Sequence, residues 1–137
     1  MRYLALDLGE KRIGIAAGSD ESGLARPLTV IRRRSREEDF ARLAALAARE
    51  HAEALVVGLP LNMDGSRGPQ ARWATGYAKA LAKRLDLPLY LWDERLTSEE
   101  AEALLAGRRP RGAPLDDVAA AVILQDFLNA RRLQGNG

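Results

Sequence analysis

The stretch EALVVGLPLNMDGSRGPQARWATGYAKALAKRLDLPLYLW, residues 53–92, decides the fold. It opens with a compact apolar strand, Glu53 to Leu59, whose centre is Ala54-Leu55-Val56-Val57. A polar loop follows, Asn62-Met63-Asp64-Gly65-Ser66. From Pro69 to Leu85 the pattern turns helical, with Trp73, Tyr77 and Leu81 on one face. Pro88-Leu89-Tyr90-Leu91-Trp92 is a second strand. A strand-helix-strand unit closes by a right-handed crossover, which leaves its two strands parallel. Trp73, Tyr77 and Trp92 therefore read as packing residues rather than as surfaces for stacking bases.

Toward the N-terminus lie three further β-like stretches, Arg2 to Leu8, Arg12 to Ala17 and Pro27 to Arg32. They are separated by Gly9-Glu10-Lys11 and by Gly18 to Ala25, connections that suit hairpins and antiparallel neighbours. Between the third stretch and residue 53, Ser35-Arg36-Glu37-Glu38 offers an N-cap with acids in the first turn. Phe40, Leu43, Ala44, Leu46 and Ala47 continue it as a helix that ends near His51. Toward the C-terminus, Ser98 to Leu105 and Leu115 to Leu133 read as helices separated by the Gly107 to Pro114 loop. The order is three strands, helix, strand, helix, strand, helix, helix. It predicts an α/β fold: a mixed five-stranded sheet of order 3-2-1-4-5 flanked by helices. Strands one, four and five are parallel, and two and three form an antiparallel flap.

The 137 residues suit a single domain spanning 1–137, with Gly135-Asn136-Gly137 as a fraying tail. The chain has no cysteine, which excludes a disulfide framework, a cysteine zinc site and a thiol nucleophile. Lys+Arg 21 against Asp+Glu 19 leaves a net charge of +2, so any polyanion site must come from local clustering. Two arginine clusters occur, Arg32-Arg33-Arg34 with Arg36, and Arg108-Arg109 with Arg111; taken alone, each reads as a solvated loop edge. The opening residues reach Asp7 and Gly9 too early for a signal peptide, and no apolar run approaches the ~20 residues of a membrane span. A cytoplasmic protein with no membrane association is expected.

In sheets of this type, sites gather at the carboxyl ends of the parallel strands. Asp7 interrupts an apolar run at that edge of strand one, and Asp93-Glu94 lies at the same edge of strand five. Asp116-Asp117 opens the last helix, where Ala119-Ala120-Ala121 permits close backbone approach. Each has a bland explanation. Asp7 before Gly9 can form an Asx turn, Asp93-Glu94 can start a helix, and Asp116 and Asp117 can oppose a helix macrodipole. Their convergence on one rim favours chemistry instead. Carboxylates in a chain with no cysteine and one histidine, His51, itself read as structural, are hard ligands suited to Mg²⁺ or Mn²⁺. Two such ions about 3.5–4 Å apart can activate water and stabilise the leaving oxygen of a phosphodiester. Without a cation, carboxylates so close repel and one protonates. Strand five lies two places from strand one, about 9–10 Å away, which favours the longer Glu94 over Asp93. Side-chain alternation does not decide between them, because helices cover both faces.

The ordered motifs Asp7-Leu8-Gly9 with Lys11-Arg12-Ile13-Gly14, Val57-Gly58-Leu59-Pro60-Leu61-Asn62-Met63-Asp64-Gly65, Asp93-Glu94-Arg95-Leu96-Thr97, and Asp116 ahead of Ala119-Ala120 and Ile123-Leu124-Gln125 resemble those of the YqgF/RuvX family. The similarity covers nearly the whole chain. It implies an RNase H-like fold and one of two activities: trimming the 5′ end of precursor 16S ribosomal RNA, or resolving Holliday junctions. It also implies that Asp7, Glu94 and Asp116 are the catalytic, metal-binding acids, with Asp117 at a variable position. Related RuvC-type resolvases carry an acid on strand four, where this chain has Gly58-Leu59-Pro60-Leu61-Asn62. The second ligand must then come from strand five.

Around these acids, Lys11, Arg12 and Arg95 are placed to hold phosphates. The glycine-containing loop with Asn62, Asp64, Gly65 and Ser66 can approach a sugar-phosphate strand, although ordinary turn chemistry explains it equally well. The leading expectation is a nuclease using Mg²⁺ or Mn²⁺, two ions in all, on precursor ribosomal RNA or branched DNA. A junction resolvase calls for a homodimer, whereas an RNA trimmer can act as a monomer. The rival reading is a nucleic-acid-binding module without catalysis. An actin-like phosphotransferase, which also begins Asp-x-Gly, needs two domains of this type and is set aside.

Overall fold

The alternation along β1 (Arg2–Leu8) sets the two faces of the molecule. Tyr3 and Ala5 are buried on one side of the sheet, and Leu4, Leu6 and Leu8 on the other. The computed structural model describes residues 1–94 and 116–135, without the side chains of Asp116 and Asp117. The predicted helix over Ser98 to Leu105, the Gly107 to Pro114 loop, Arg95 and the Arg108-Arg109-Arg111 cluster lie outside the described residues. The remaining strands are β2 (Arg12–Ser19), β3 (Ala25–Arg32), β4 (Ala54–Leu59) and β5 (Leu89–Asp93). The described helices are α1 (Arg36–Arg49), α2 (Pro69–Leu85) and α3 (Asp116–Gly135).

The sheet order is β3-β2-β1-β4-β5, as the strand-helix-strand reading requires. β1 runs antiparallel to β2 and parallel to β4, and β4 parallel to β5. Three boundaries move outward from their sequence-based positions. β2 continues past Ala17 to Ser19, because Gly18 and Ser19 pair with Tyr3 and Arg2. β3 begins at Ala25 rather than Pro27, because Ala25 pairs with Gly18 and its amide is held by a distant glutamine, Gln125. The last helix runs on through Gly135. Pro27 is tolerated because β3 is an edge strand and the register shifts beside it, between Ile15 and Ala16.

Helices cover both faces. Ser35 caps α1, its hydroxyl accepting the Glu38 N–H at 3.1 Å, with Glu37, Glu38 and Asp39 in the positive first turn. Just past α1, His51 takes a left-handed conformation (φ 54) on the surface. Phe40, Leu43 and Ala47 of α1 join Ala74, Tyr77, Ala78 and Leu81 of α2 over Leu4, Leu6, Ile13, Ile15, Leu55 and Val57. Tyr77 is fully buried edge-on to Phe40, a core residue as its helical spacing predicts. On the opposite face α3 buries Ala120, Ala121, Leu124, Phe127 and Leu128 against Tyr3, Ala5, Ala16 and Val56. Trp92 packs there too, edge-on to Phe127 and donating its Nε1–H to Asp126 at 2.9 Å.

The direction of α3 matters for function. Phe127 meets Tyr3 at the start of β1, and Arg131 bonds Asp20 beyond it, so α3 runs opposite to β1. Its first turn, beginning at Asp116, therefore lies at the Asp7 end of the sheet. Among the described residues no helix is long and apolar enough to cross a membrane.

Candidate active site

β1 delivers Asp7 to the carboxyl rim on the α3 face, half-buried and paired in register with Gly14 of β2. The β1–β2 connection is tight. The Gly9 N–H donates to the Arg12 carbonyl at 2.9 Å, and a Cβ at position 9 would sit 2.9 Å from that same oxygen, so glycine is needed there. The turn lifts Lys11 and Arg12 into solvent beside Asp7. These three residues, with Gly9, Glu10, Gly14 and Val30, line a groove of about 230 Å³. Asp7, Lys11 and Arg12 are thus brought together as the sequence reading expects.

Glu94 follows β5 directly and crosses back toward β1. Its carboxyl is pushed up to about 7, first by burial, then by a hydrogen bond to Asp7 and the Asp7 charge, and last by Asp93. When protonated, the Glu94 carboxyl donates to Asp7. The path of Glu94 depends on β4. A Cβ at Gly58 would lie 2.9 Å from Glu94 Cγ, 2.9 Å from its Oε1 and 2.6 Å from Ile123 Cδ1. Strand four carries no acid; its missing side chain is what lets the acid from strand five reach Asp7. Asp93, the last residue of β5, lies opposite Leu59 and acts on Glu94 through its charge.

Two oxygen-donor groups held so close that one keeps a proton near neutrality fit a divalent cation, which would displace that proton and bind both. Asp7 and Glu94 are the two carboxyls placed to hold it. Among the described residues no cluster of three potential ligands occurs; the expected third acid, Asp116, starts α3 at this end of the sheet, and its side chain is outside the described part of the structure.

Asn62 is exposed in the loop after β4, and its side chain is engaged within that loop. Its amide donates to Ser66 Oγ at 3.0 Å, Ser66 N–H and Oγ–H turn to Asp64 Oδ1, and Gly65 takes a positive φ of 88. Turn chemistry accounts for this arrangement, with Asn62 shaping the loop.

Two residues of the site region escape sequence reasoning. Gly58 carries a readable signal, since an isolated glycine inside an apolar strand marks close approach of another group. Arg33 reads in sequence as one member of a solvated cluster. Its guanidinium instead donates to the Gly9 and Glu10 carbonyls at 3.2 and 2.7 Å, and its own N–H to the Lys11 carbonyl at 2.8 Å, clamping the turn that carries the basic residues.

A family model described as "RuvX: Holliday junction resolvase" matches residues 1–130. A relative from Anaeromyxobacter sp. (strain Fw109-5), named "Putative pre-16S rRNA nuclease", is 49% identical over 136 residues, covering 96% of this chain and 98% of its own. One of the same name from Chloroflexus aurantiacus (strain ATCC 29366 / DSM 635 / J-10-fl) is 44% identical over 137 residues, covering 97% of this chain and 90% of its own. Among solved structures, T. thermophilus RuvC in complex with a Holliday junction substrate superposes with a TM-score of 0.70 at 17% identity, over 98% of this chain and 96% of that one. At that identity the likeness is one of fold, and the fold is the RNase H-like one. With residues 1–130 matched by the family model and full-length relatives at 44–49% identity, the chain belongs to the RuvX family.

Proposed function

We propose that this chain is a divalent-metal-dependent nuclease that hydrolyses phosphodiester bonds in structured nucleic acid, acting at the 5′ end of precursor 16S ribosomal RNA. The observation that carries this reading is the hydrogen-bonded carboxyl pair Asp7 and Glu94, with Lys11 and Arg12 beside Asp7 in the groove that Asp7 lines. The name shared by the relatives at 44–49% identity supports the RNA substrate.

Asp7 and Glu94, with Asp116 as the third acid, would hold Mg²⁺ or Mn²⁺. Bound there, two such ions supply charge neutralisation at the phosphate, an activated water and stabilisation of the leaving oxygen. The chain's own groups do the rest. Lys11 and Arg12 bind phosphates flanking the scissile one, Arg12 bidentately and Lys11 as a point charge, with Arg95 as a further cation. Gly58 keeps Glu94 pointed at Asp7, and the Gly9–Arg12 turn fixes how far the basic side chains stand from the acids. The whole chain works as one domain, and an RNA trimmer of this kind needs no second copy.

A second reading, Holliday junction resolution by a homodimer, is supported by the family description and by the likeness in fold to RuvC. A third, nucleic-acid binding without catalysis, predicts affinity for RNA with no response to metal. One assay separates them: purified protein with Mn²⁺, offered a precursor 16S fragment and a four-way DNA junction, with Asp7→Asn as control. The proposal predicts RNA cleavage that the Asp7→Asn variant loses. Cleavage of neither substrate, or full activity in that variant, would contradict it.

A further inference from the structure

Beside the acid groove, on the other side of the β1–β2 turn, lies a larger one of about 410 Å³ lined by Glu10, Arg33, Pro69, Gln70 and Trp73. We propose that this groove binds an unpaired stretch of the nucleic-acid strand that flanks the scissile phosphate, stacking a base on the Arg33 guanidinium, which Trp73, packed against the core as its spacing predicts, backs from behind. The inference rests on the nuclease reading and adds to it the kind of strand required.

The platform is built in advance. The Arg33 guanidinium lies 4.3 Å from the centre of the Trp73 ring and 5.8 Å from that of Tyr77, while its Nη1 is tied to the Gly9 and Glu10 carbonyls. Trp73 in turn leans on buried Tyr77 at 5.3 Å. Neither Arg33 nor Trp73 is fully buried, so a fixed planar cation and an indole edge front the groove. Planar guanidinium and aromatic faces are what unpaired bases stack on. A paired base offers no free face, which selects the single strand over the duplex.

Charge and continuity name the same occupant. Arg32, Arg34 and Arg36, close to Arg33 in the chain, are exposed, with Arg34 3.9 Å from Glu38; the first turn of α2 contains no acid, and the amide of exposed Gln70 is available to a base edge. Glu10 is the one acid on the groove wall. It also lines the Asp7 groove, so the two depressions meet across the turn. A strand with its phosphate at Asp7 reaches Arg33 and Trp73 by continuing over residues 9–11.

The test is binding by the full chain without divalent cation, at fixed salt. The probes are labelled oligouridylate, oligothymidylate and a blunt RNA duplex, read by fluorescence anisotropy. Gln70→Glu puts an acid in the groove without touching the Arg33 clamp, and at a helix N-terminus it does not harm folding. Trp73→Leu removes the indole, with thermal melting as the check on its fold. The expected result is that both variants bind both single strands at least about fivefold more weakly than wild type. Duplex binding should stay within about twofold. Wild-type affinity for single strands in Gln70→Glu, or an equal loss for the duplex, overturns the inference. Asp7→Asn cleavage is scored separately: if that variant cleaves normally the nuclease reading fails, whatever the groove binds.

Discussion

Glu94 occupies the space that a side chain at position 58 would fill, its Cγ and Oε1 each 2.9 Å from where a Cβ on Gly58 would stand. The acid of strand five and the glycine of strand four are therefore one device. The glycine supplies the vacancy, and the glutamate uses it to reach Asp7. Gly58→Ala is predicted to push Glu94 and Ile123 away, destabilising the fold by about 1–3 kcal/mol through overpacking. Cleavage should fall at least about tenfold, since a misplacement near 1 Å is costly at a reacting centre. Thermal melting and single-turnover cleavage of the same preparation check both.

The raised pKa of the Glu94 carboxyl predicts a pH dependence. The Glu94 carboxyl titrates near 7 in the folded chain against 4.5 ordinarily, chiefly because it is buried and then because of Asp7. Between those values the folded state holds a proton that the unfolded chain has released, so stability falls as pH rises through the window and stays lower above it. Without divalent cation the melting temperature should decrease from pH 5 to pH 8. Glu94→Gln should flatten that slope, and Mn²⁺ should raise the melting temperature most at the alkaline end. A metal-free melting temperature that rises across this range would contradict the pairing.

Gln125 is buried in α3, and its Oε1 accepts the Ala25 N–H while its Nε2 donates to the Gly23 carbonyl, both at 2.9 Å. It thereby ties the β2–β3 hairpin to the helix that begins with Asp116. Gln125→Leu removes the bonds to the buried Ala25 N–H and the half-buried Gly23 carbonyl, which should cost about 1–3 kcal/mol. Denaturant unfolding measures the loss, and amide exchange at Ala25 should quicken.

Arg12 stands exposed on the groove wall beside Asp7. As a phosphate contact it should contribute affinity without selecting sequence. Arg12→Ala should weaken binding of unrelated RNA sequences alike and lower the slope of log affinity against log salt by about 1. A loss confined to one sequence would assign Arg12 a different role.

Much of this architecture is legible in the amino-acid sequence. The apolar runs, the hairpin-length gaps and the crossover rule suffice for the strand order, and Ser35 marks the start of α1 because a cap is a local event. The rim position of Asp7 and Glu94 follows from topology alone. What the sequence conceals is long-range. Alternation does not say which of Asp93 and Glu94 turns toward Asp7, since that choice is made by a vacancy on the neighbouring strand. Arg33 looks like one more solvated arginine because its partners, three turn carbonyls and an indole on α2, are remote or uncharged. Gln125 finds a local partner in Asn129 one turn on, but the Gly23 carbonyl and the Ala25 N–H that it also binds lie far away in the chain and meet it only in the folded state.

Asp7 and Glu94 together are proposed to make one divalent-cation site. Calorimetric titration of Mn²⁺ into wild-type protein, Asp7→Asn and Glu94→Gln near pH 6, repeated in buffers of different ionisation enthalpy, addresses it directly. Wild type should bind Mn²⁺ with release of a proton, and both variants should bind it at least about tenfold more weakly. Wild-type affinity in either variant, or binding with no proton released, would contradict it.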